Sequence, residues 1–282
     1  MKFAITFGQL NPRYWRDAAV EADRLGFESV WLPEHLVFPV EMTGQLVPGE
    51  EHPPVPPSTP VFEPGAYLSW IAAQTEQLRL GTFVYLLGIR HPFVGARTFA
   101  TLDVLSGGRA EVGIGAGWMT SEWETVGLDP MTRGRRLDEA IDVCKRLWTE
   151  DVIEHHGEFF DFPPVMFEPK PVQQPHPPIV VGGESQRALR RAAERCDGWI
   201  GMSHTPETAA IQIRRLREAE ARAERTSPPC TVTVMGPCDS AEDVRQWEAA
   251  GVDRLIVVPW TRGSEAIEAM QSFASRFIGE IA

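Results

Sequence analysis

The chain has 282 residues, 43% hydrophobic and 23% charged, which supplies enough apolar material for one large core and excludes a disordered or collagen-like chain. Its formal net charge is -12, with three lysines (Lys2, Lys145, Lys170) among 27 basic residues, and this balance disfavours a nucleic-acid partner, because phosphate backbones are bound by clustered Lys and Arg. No apolar run of about 18 residues and no basic-then-apolar N-terminal segment occurs, so a membrane span is not expected and a cytoplasmic location is.

Short runs rich in Val, Ile and Phe alternate with amphipathic runs of helical period. A strand over 2–7 leads into a helix over 13–25, ended by Gly26, and a second strand covers 27–32. A long loop, 36–62, follows, and its EHPPVPPSTP segment favours an extended, exposed path. Helix 64–77, strand 78–87, helix 92–106 and strand 109–117 come next, then the longest helix, 132–149. The stretch 151–177 reads as a second long loop, of the kind that forms lids or binding loops. Alternation resumes with strand 178–183, helix 185–196, strand 197–202, helix 206–225, strand 230–236, helix 240–250, strand 253–260 and helix 264–278.

Eight βα units predict one (β/α)8 TIM-barrel domain over residues 1–282, since such barrels take about 250 residues and open doubly wound sheets have fewer strands. FGQLNP stands after the first strand where a dinucleotide fold would carry its G-x-G-x-x-G turn. Cys144, Cys196, Cys230 and Cys238 are widely spaced with no C-x-x-C pair, which reads as free thiols in a reducing compartment.

A barrel presents its reactive groups at the C-terminal ends of its strands. Those ends carry Gly8, Gln9 and Asn11; Glu34 and His35; Tyr85; Gly115, Gly117 and Trp118; Gly182, Gly183 and Ser185; Met202 and His204; Gly236 and Cys238; Trp260 and Thr261. No lysine for a Schiff base, no H-x-H metal pair and no succession of carboxylates is among them. A cavity rich in glycine and aromatics suits a flat ring. Glu34 and His35 are the adjacent titratable pair: the histidine can exchange a proton at neutral pH while Glu34 orients it or bonds a cofactor ring, or the histidine simply packs a loop through a hydrogen bond. Gly115, Ala116, Gly117 and Trp118 either let a ring approach the backbone or make a tight bend. Gly182, Gly183 and Ser185 precede a helix, so its free amides favour an anion such as a cofactor phosphate, unless Ser185 is only a helix cap. The RGRR cluster, 133–136, either supplements that anion site or is solvated, with Arg136 left open; His155 and His156 read as surface residues.

The segments GFESVWLPEH, LRLGTFVYLLGIRHP, LSGGRAEVGIGAGW, RLDEAIDVCKRLW, EPKPVQQPHPPIVVGGES and ERCDGWIG together resemble the luciferase-like monooxygenase superfamily, and within it the branch of oxidoreductases that use the deazaflavin coenzyme F420. The resemblance is specific over about residues 1–202 and generic beyond. It implies that Glu34 and His35 contact the deazaflavin ring, with the histidine as acid/base, and that Phe83 and Val84 are joined by a non-proline cis peptide forming a bulge behind the ring. It implies that Gly117 and Trp118 line the ring and that Gly183 and Ser185 hold the phosphate. Several relatives carry glutamate where this chain has Trp118, and that departure removes a possible proton donor. The resemblance also implies a homodimer and a small-molecule substrate. Three readings follow: hydride transfer with F420; an FMN-dependent monooxygenase fed by a separate reductase; and a barrel that binds a cofactor without turnover.

Overall fold

The computed structural model describes residues 1–46 and 55–279. The part of the first long loop that spans 47–54 lies outside the described residues, and with it the start of the proline-rich run. Eight parallel strands close into a barrel, with a separate two-stranded hairpin beside it. The barrel strands are β1 (Lys2–Thr6), β2 (Ser29–Leu32), β3 (Arg79–Thr82), β4 (Ala110–Ile114), β7 (Ile179–Gly182), β8 (Gly198–Gly201), β9 (Thr231–Met235) and β10 (Arg254–Val257). Each pairs with its neighbours in chain order, and β1 closes the ring on β10 with Phe3 opposite Leu255 and Ile5 opposite Val257. The outer helices are α1 (Trp15–Arg24), α2 (Pro64–Ala72), α3 (Pro92–Ser106), α5 (Arg133–Thr149), α6 (Gln186–Arg195), α7 (Pro206–Arg222), α8 (Ala241–Ala250) and α9 (Ala266–Phe277). The expected TIM barrel is the observed fold.

Local chemistry explains where the helices start and stop. Proline opens α2, α3 and α7, where its fixed φ is preset and its missing N–H costs nothing. Thr205 and Ser240 cap α7 and α8 with reciprocal capping boxes, and Gly107 and Gly251 end α3 and α8 in the left-handed conformation. Most of the buried apolar surface lies between the strands and these helices.

The barrel interior is filled in layers. Ala4, Trp31, Val180, Ile200 and Ile256 form its apolar middle, with Phe83, Val84 and Met235 packed against them. Toward the strand N-termini the interior is ionic: the Arg254 guanidinium donates to both Glu111 oxygens at 2.9 and 2.7 Å and to Glu28 at 2.8 Å, and Arg79 donates to Glu111 at 2.6 Å. This network closes the floor and leaves the other end for chemistry. Burial opposes ionisation of Glu28, but Arg254 outweighs it and holds that carboxyl below its usual range.

Three expectations need correction. Residues 151–177 are not all loop: β5 (Val152–His156) and β6 (Asp161–Met166) form an antiparallel hairpin turned at Gly157. Pro163 and Pro164 sit on a two-stranded edge, where a missing ladder donor is tolerated. Six residues read as connection, Thr120–Thr125, form a short helix, α4, that follows β4. The third strand is also shorter than its apolar run. The ladder breaks after Thr82, the Phe83–Val84 peptide is cis as the resemblance implied, and pairing returns as the single bridge Tyr85–Ile114.

Candidate active site

α4 has no side-chain N-cap and is held instead by the loop after β2. The Thr120 amide donates to the Thr43 carbonyl at 2.8 Å, the Thr43 amide donates to Ser121 Oγ at 3.0 Å, and Gly44 bridges to Met119. Clasping these two loops carries Glu122 under His35. The Glu122 carboxylate is 1% exposed; one oxygen accepts from the Leu36 and Val37 amides at 2.6 and 3.3 Å, and the other lies 2.9 Å from His35 Nδ1. A carboxylate in that position accepts the Nδ1 proton, which leaves Nε2 as the nitrogen without a partner among the described residues. The His35 ring also meets Trp118 edge-on at 5.8 Å and Phe38 at 4.6 Å between centroids. Sequence reasoning missed Glu122. It lies 87 residues from His35, and no spacing signal connects them.

Glu34 does not orient its neighbour. Its side chain is 1% exposed, accepting from the Leu86 amide at 2.8 Å and from Arg90 at 2.6 Å. Adjacent residues on an extended chain point to opposite faces, so Glu34 turns to β3 while His35 turns to α4. Burial disfavours the Arg90 charge, and the Glu34 carboxylate more than restores it. Arg90 in turn lies over the Tyr85 ring at 4.4 Å, and burial pushes the Tyr85 hydroxyl up to about 12. Glu34 therefore pins the backbone just beyond the Phe83–Val84 bulge.

Val84 explains two of the glycines. A Cβ on Gly115 would lie 2.4 Å from one Val84 methyl, and a Cβ on Gly182 would lie 2.9 Å from the other. The bulge is thus wedged between β4 and β7, and these glycines make room for it. Gly117 takes φ +79°, which L side chains rarely adopt, and packs on Leu86 and the Trp123 indole. Ala116, Gly117 and Trp118 stay half-buried at the mouth. Gly183 is exposed with φ +121°, its carbonyl held by Trp199 Nε1 at 2.9 Å. Ser185 caps α6, accepting from the Ala188 amide at 3.2 Å, while the Gln186 and Arg187 amides have no partner among the described residues.

β2, β3, β4 and β7 are consecutive around the ring. The strand order therefore gathers His35, Phe83, Val84, Gly115, Ala116, Gly117, Trp118, Gly182, Gly183 and Ser185 on one arc of the mouth. The RGRR cluster takes no part: Arg136 donates to the Gly88 carbonyl and stacks on Phe159 and Phe160, Arg133 donates to Pro130, and Arg135 pairs with Glu158. His155 and His156 belong to the hairpin, bonded to Glu139 and Asp161. On the opposite arc a cavity of about 800 Å³ opens at the ends of β8, β9 and β10, lined by Gln9, Ser203, His204, Met235, Cys238 and Pro259 among others. In its wall His204 Nε2 lies 3.1 Å from the Glu184 carboxylate, out of hydrogen-bond alignment, while Nδ1 meets Thr208. All four cysteines are free and buried, and burial pushes the Cys238 thiol up to about 11. Among the described residues no cluster of three or more His, Cys, Asp or Glu could hold a metal ion, and no helix is long and apolar enough to cross a membrane.

The model for luciferase-like monooxygenases matches residues 4–272. The chain belongs to this family. A whole-length relative, an uncharacterized protein of Mycobacterium tuberculosis, is 29% identical over 100% of both chains. An F420-dependent glucose-6-phosphate dehydrogenase of Kineococcus radiotolerans is 32% identical over 85% of this chain and 69% of its own length. An FMNH(2)-dependent dimethylsulfone monooxygenase of Pseudomonas putida is 38% identical, over 46% of this chain and 36% of its own. Among solved structures, an F420-dependent secondary alcohol dehydrogenase in complex with an F420-acetone adduct shares the fold, with a TM-score of 0.78, 17% identity and coverage of 98% and 99%. This luciferase-like barrel therefore sits among oxidoreductases and monooxygenases that use F420 or FMN.

Proposed function

We propose that the protein is an F420-dependent oxidoreductase that moves a hydride between the deazaflavin and a small organic substrate. One observation carries the reading. His35 stands at the mouth with Nδ1 fixed by Glu122 and Nε2 without a partner among the described residues, on the arc where Phe83 and Val84 offer a wall for a planar ring. The residues present fit such a cofactor: Phe83 and Val84 behind the ring, Gly117 and Trp118 beside it, and Gly183, Ser185 and the unpartnered first-turn amides of α6 for its phosphate. When bound, the deazaflavin supplies a carbon that accepts or gives hydride. In the oxidative direction an alcohol-type substrate loses hydride from carbon and a proton from oxygen. His35 Nε2 takes the proton, and Glu122 holds the ring in the tautomer that can do so. Phe38, Trp118 and the clasped β2 and β4 loops limit water around His35.

The Pseudomonas relative favours a second reading, an FMN-dependent monooxygenase, because FMN presents the same ring and a phosphate to the same groups. Parallel titrations with oxidised F420 and with FMN, read by ring fluorescence, separate the two. F420 is expected to bind at least about tenfold more tightly, a difference of roughly 1.4 kcal/mol. A preference of that size for FMN overturns the proposal.

A further inference from the structure

The turn between β7 and α6 is Gly183, Glu184 and Ser185, so the residue between the two candidate phosphate contacts is itself an acid. Its charge opposes the anion that the free Gln186 and Arg187 amides favour. Three contacts fasten this turn to β8 and the loop beyond it. Trp199 Nε1 donates to the Gly183 carbonyl at 2.9 Å, the Met202 amide donates to Glu184 Oε1 at 3.2 Å, and Glu184 Oε2 lies 3.1 Å from His204 Nε2.

His204 is firmly placed. Its side chain is 8% exposed, its ring lies 5.7 Å from the Trp199 ring, its amide donates to the Met235 carbonyl at 3.0 Å, and Ser203 before it takes φ +59°. Nε2 and the facing Glu184 oxygen are both buried, yet neither makes a hydrogen bond in the present orientation. Buried polar atoms are ordinarily bonded, and a carboxylate can only accept, so a proton that satisfies both sits on Nε2. At the other end of the ring, Nδ1 lies 3.1 Å from Thr208 Oγ1, which has one proton and a second acceptor, the Thr205 carbonyl, also at 3.1 Å. Given to Thr205, that proton leaves Nδ1 a donor and the ring charged; given to Nδ1, it leaves the ring neutral. The hydroxyl can therefore serve either state, and the ring gains a proton without losing a partner. The other titratable groups in the surrounding elements are Arg187 on α6, Glu207 on α7, Cys238 and Asp239 after β9, and Arg276 on α9. None of them forms a hydrogen bond or ion pair with His204 among the described residues.

We propose that His204 is a positioning residue for the anion site at the start of α6, offsetting the Glu184 charge when protonated, so that an anion there and a proton on His204 favour each other. The inference rests on the reading of Gly183, Ser185 and the first-turn amides of α6 as a phosphate site. A neutral His204 leaves the Glu184 charge uncompensated beside that site, and the bound anion is repelled. A charged His204 forms the ion pair, and the helix amides then act on the anion unopposed. Linkage is reciprocal: binding of the anion draws a proton onto the pair by the same factor by which the proton tightens binding.

The test is calorimetric titration of wild type, His204→Gln and Glu184→Gln with oxidised F420 at about pH 6 and about pH 8, within the range where histidine changes charge. Titration of the ligand itself is common to the three proteins and cancels between them. Wild type is expected to bind at least about fivefold more tightly at the lower pH, a coupling at the small end for linked sites. His204→Gln should bind at both pH values as weakly as wild type does at the higher one. Glu184→Gln, which keeps an acceptor for the Met202 amide but removes the charge, should bind at both as tightly as wild type does at the lower one. If the two side chains only shape the turn, each substitution weakens binding equally at both pH values; that result, or one pH dependence shared by all three proteins, overturns the inference. Should F420 fail to bind wild type, the cofactor reading falls, and sulfate, a dianion throughout this range, decides the inference by itself through the nitrogen-15 shifts of the Gln186 and Arg187 amides. Saturable shifts whose affinity falls with rising pH in wild type but not in His204→Gln support it, and absent shifts or equal pH dependence overturn it.

Discussion

Replacing Glu122 by glutamine changes one atom and tests how His35 is held. The carboxylate takes three contacts: Leu36 N at 2.6 Å, Val37 N at 3.3 Å and His35 Nδ1 at 2.9 Å. The amide of glutamine can accept through its oxygen alone, and two backbone N–H groups already converge on that oxygen. The NH2 group is then left opposite Nδ1, so the imidazole must accept there and carry its proton on Nε2. Hydrogen bonds to a charged group contribute about 1.5–3 kcal/mol and neutral ones about 0.5–1.5. Two well-formed bonds and one long one therefore lose about 2 kcal/mol together. In a domain of this size that is a fall in Tm of about 4–8 °C. The assay has two parts, thermal unfolding and nitrogen-15 NMR of the histidine rings. The wild type should show His35 protonated on Nδ1 when neutral, and Glu122→Gln should show it protonated on Nε2. The reasoning is refuted if the tautomer is the same in both proteins, whatever happens to stability.

Gly115→Ala forces a Cβ to 2.4 Å from a methyl of Val84, whose β-branched side chain has little rotamer freedom to yield. Overpacking of this kind costs about 1–3 kcal/mol, and adding Val84→Ala should recover part of it; urea unfolding that shows strictly additive losses counts against the wedge. Acid provides a separate test, at the barrel floor. Arg254 holds Glu28 below its usual pKa despite burial, so the stability this carboxylate contributes is complete above its unfolded value of about 4.3 and is lost as pH falls through the lower folded value. Glu28→Gln should unfold at lower urea than the wild type at neutral pH, and the gap should narrow steadily below about pH 4. A gap that widens on acidification contradicts the assignment.

The barrel was legible because its strands and helices each bury one continuous face, and that periodicity is written locally. The hairpin at 152–166 was not, since its inward positions, such as Ile153, Phe160 and Phe162, are interrupted by His155, His156 and two prolines. α4 escaped for a related reason: six residues carry too little periodicity to register, and tertiary clasping by Thr43 rather than a cap holds the helix. The site divided the same way. His35 and the glycine-rich strand ends could be listed from the sequence, but their purposes could not. Gly115 and Gly182 are small because Val84 lies against them, and Glu34 is acidic because Arg90 and the Leu86 amide lie against it. Glu122, which completes the histidine site, arrives on α4 from 87 residues away through the Thr43 clasp.

The account turns on whether a planar redox ring rests on the Phe83–Val84 wall beside His35, and a crystal structure of the protein with oxidised F420 measures this directly. The account predicts ring density against Phe83 and Val84, His35 Nε2 facing the space where substrate meets the ring, and the phosphate at Gly183 and Ser185. Ring density in the cavity at the ends of β8, β9 and β10, or a phosphate far from Ser185, would contradict it.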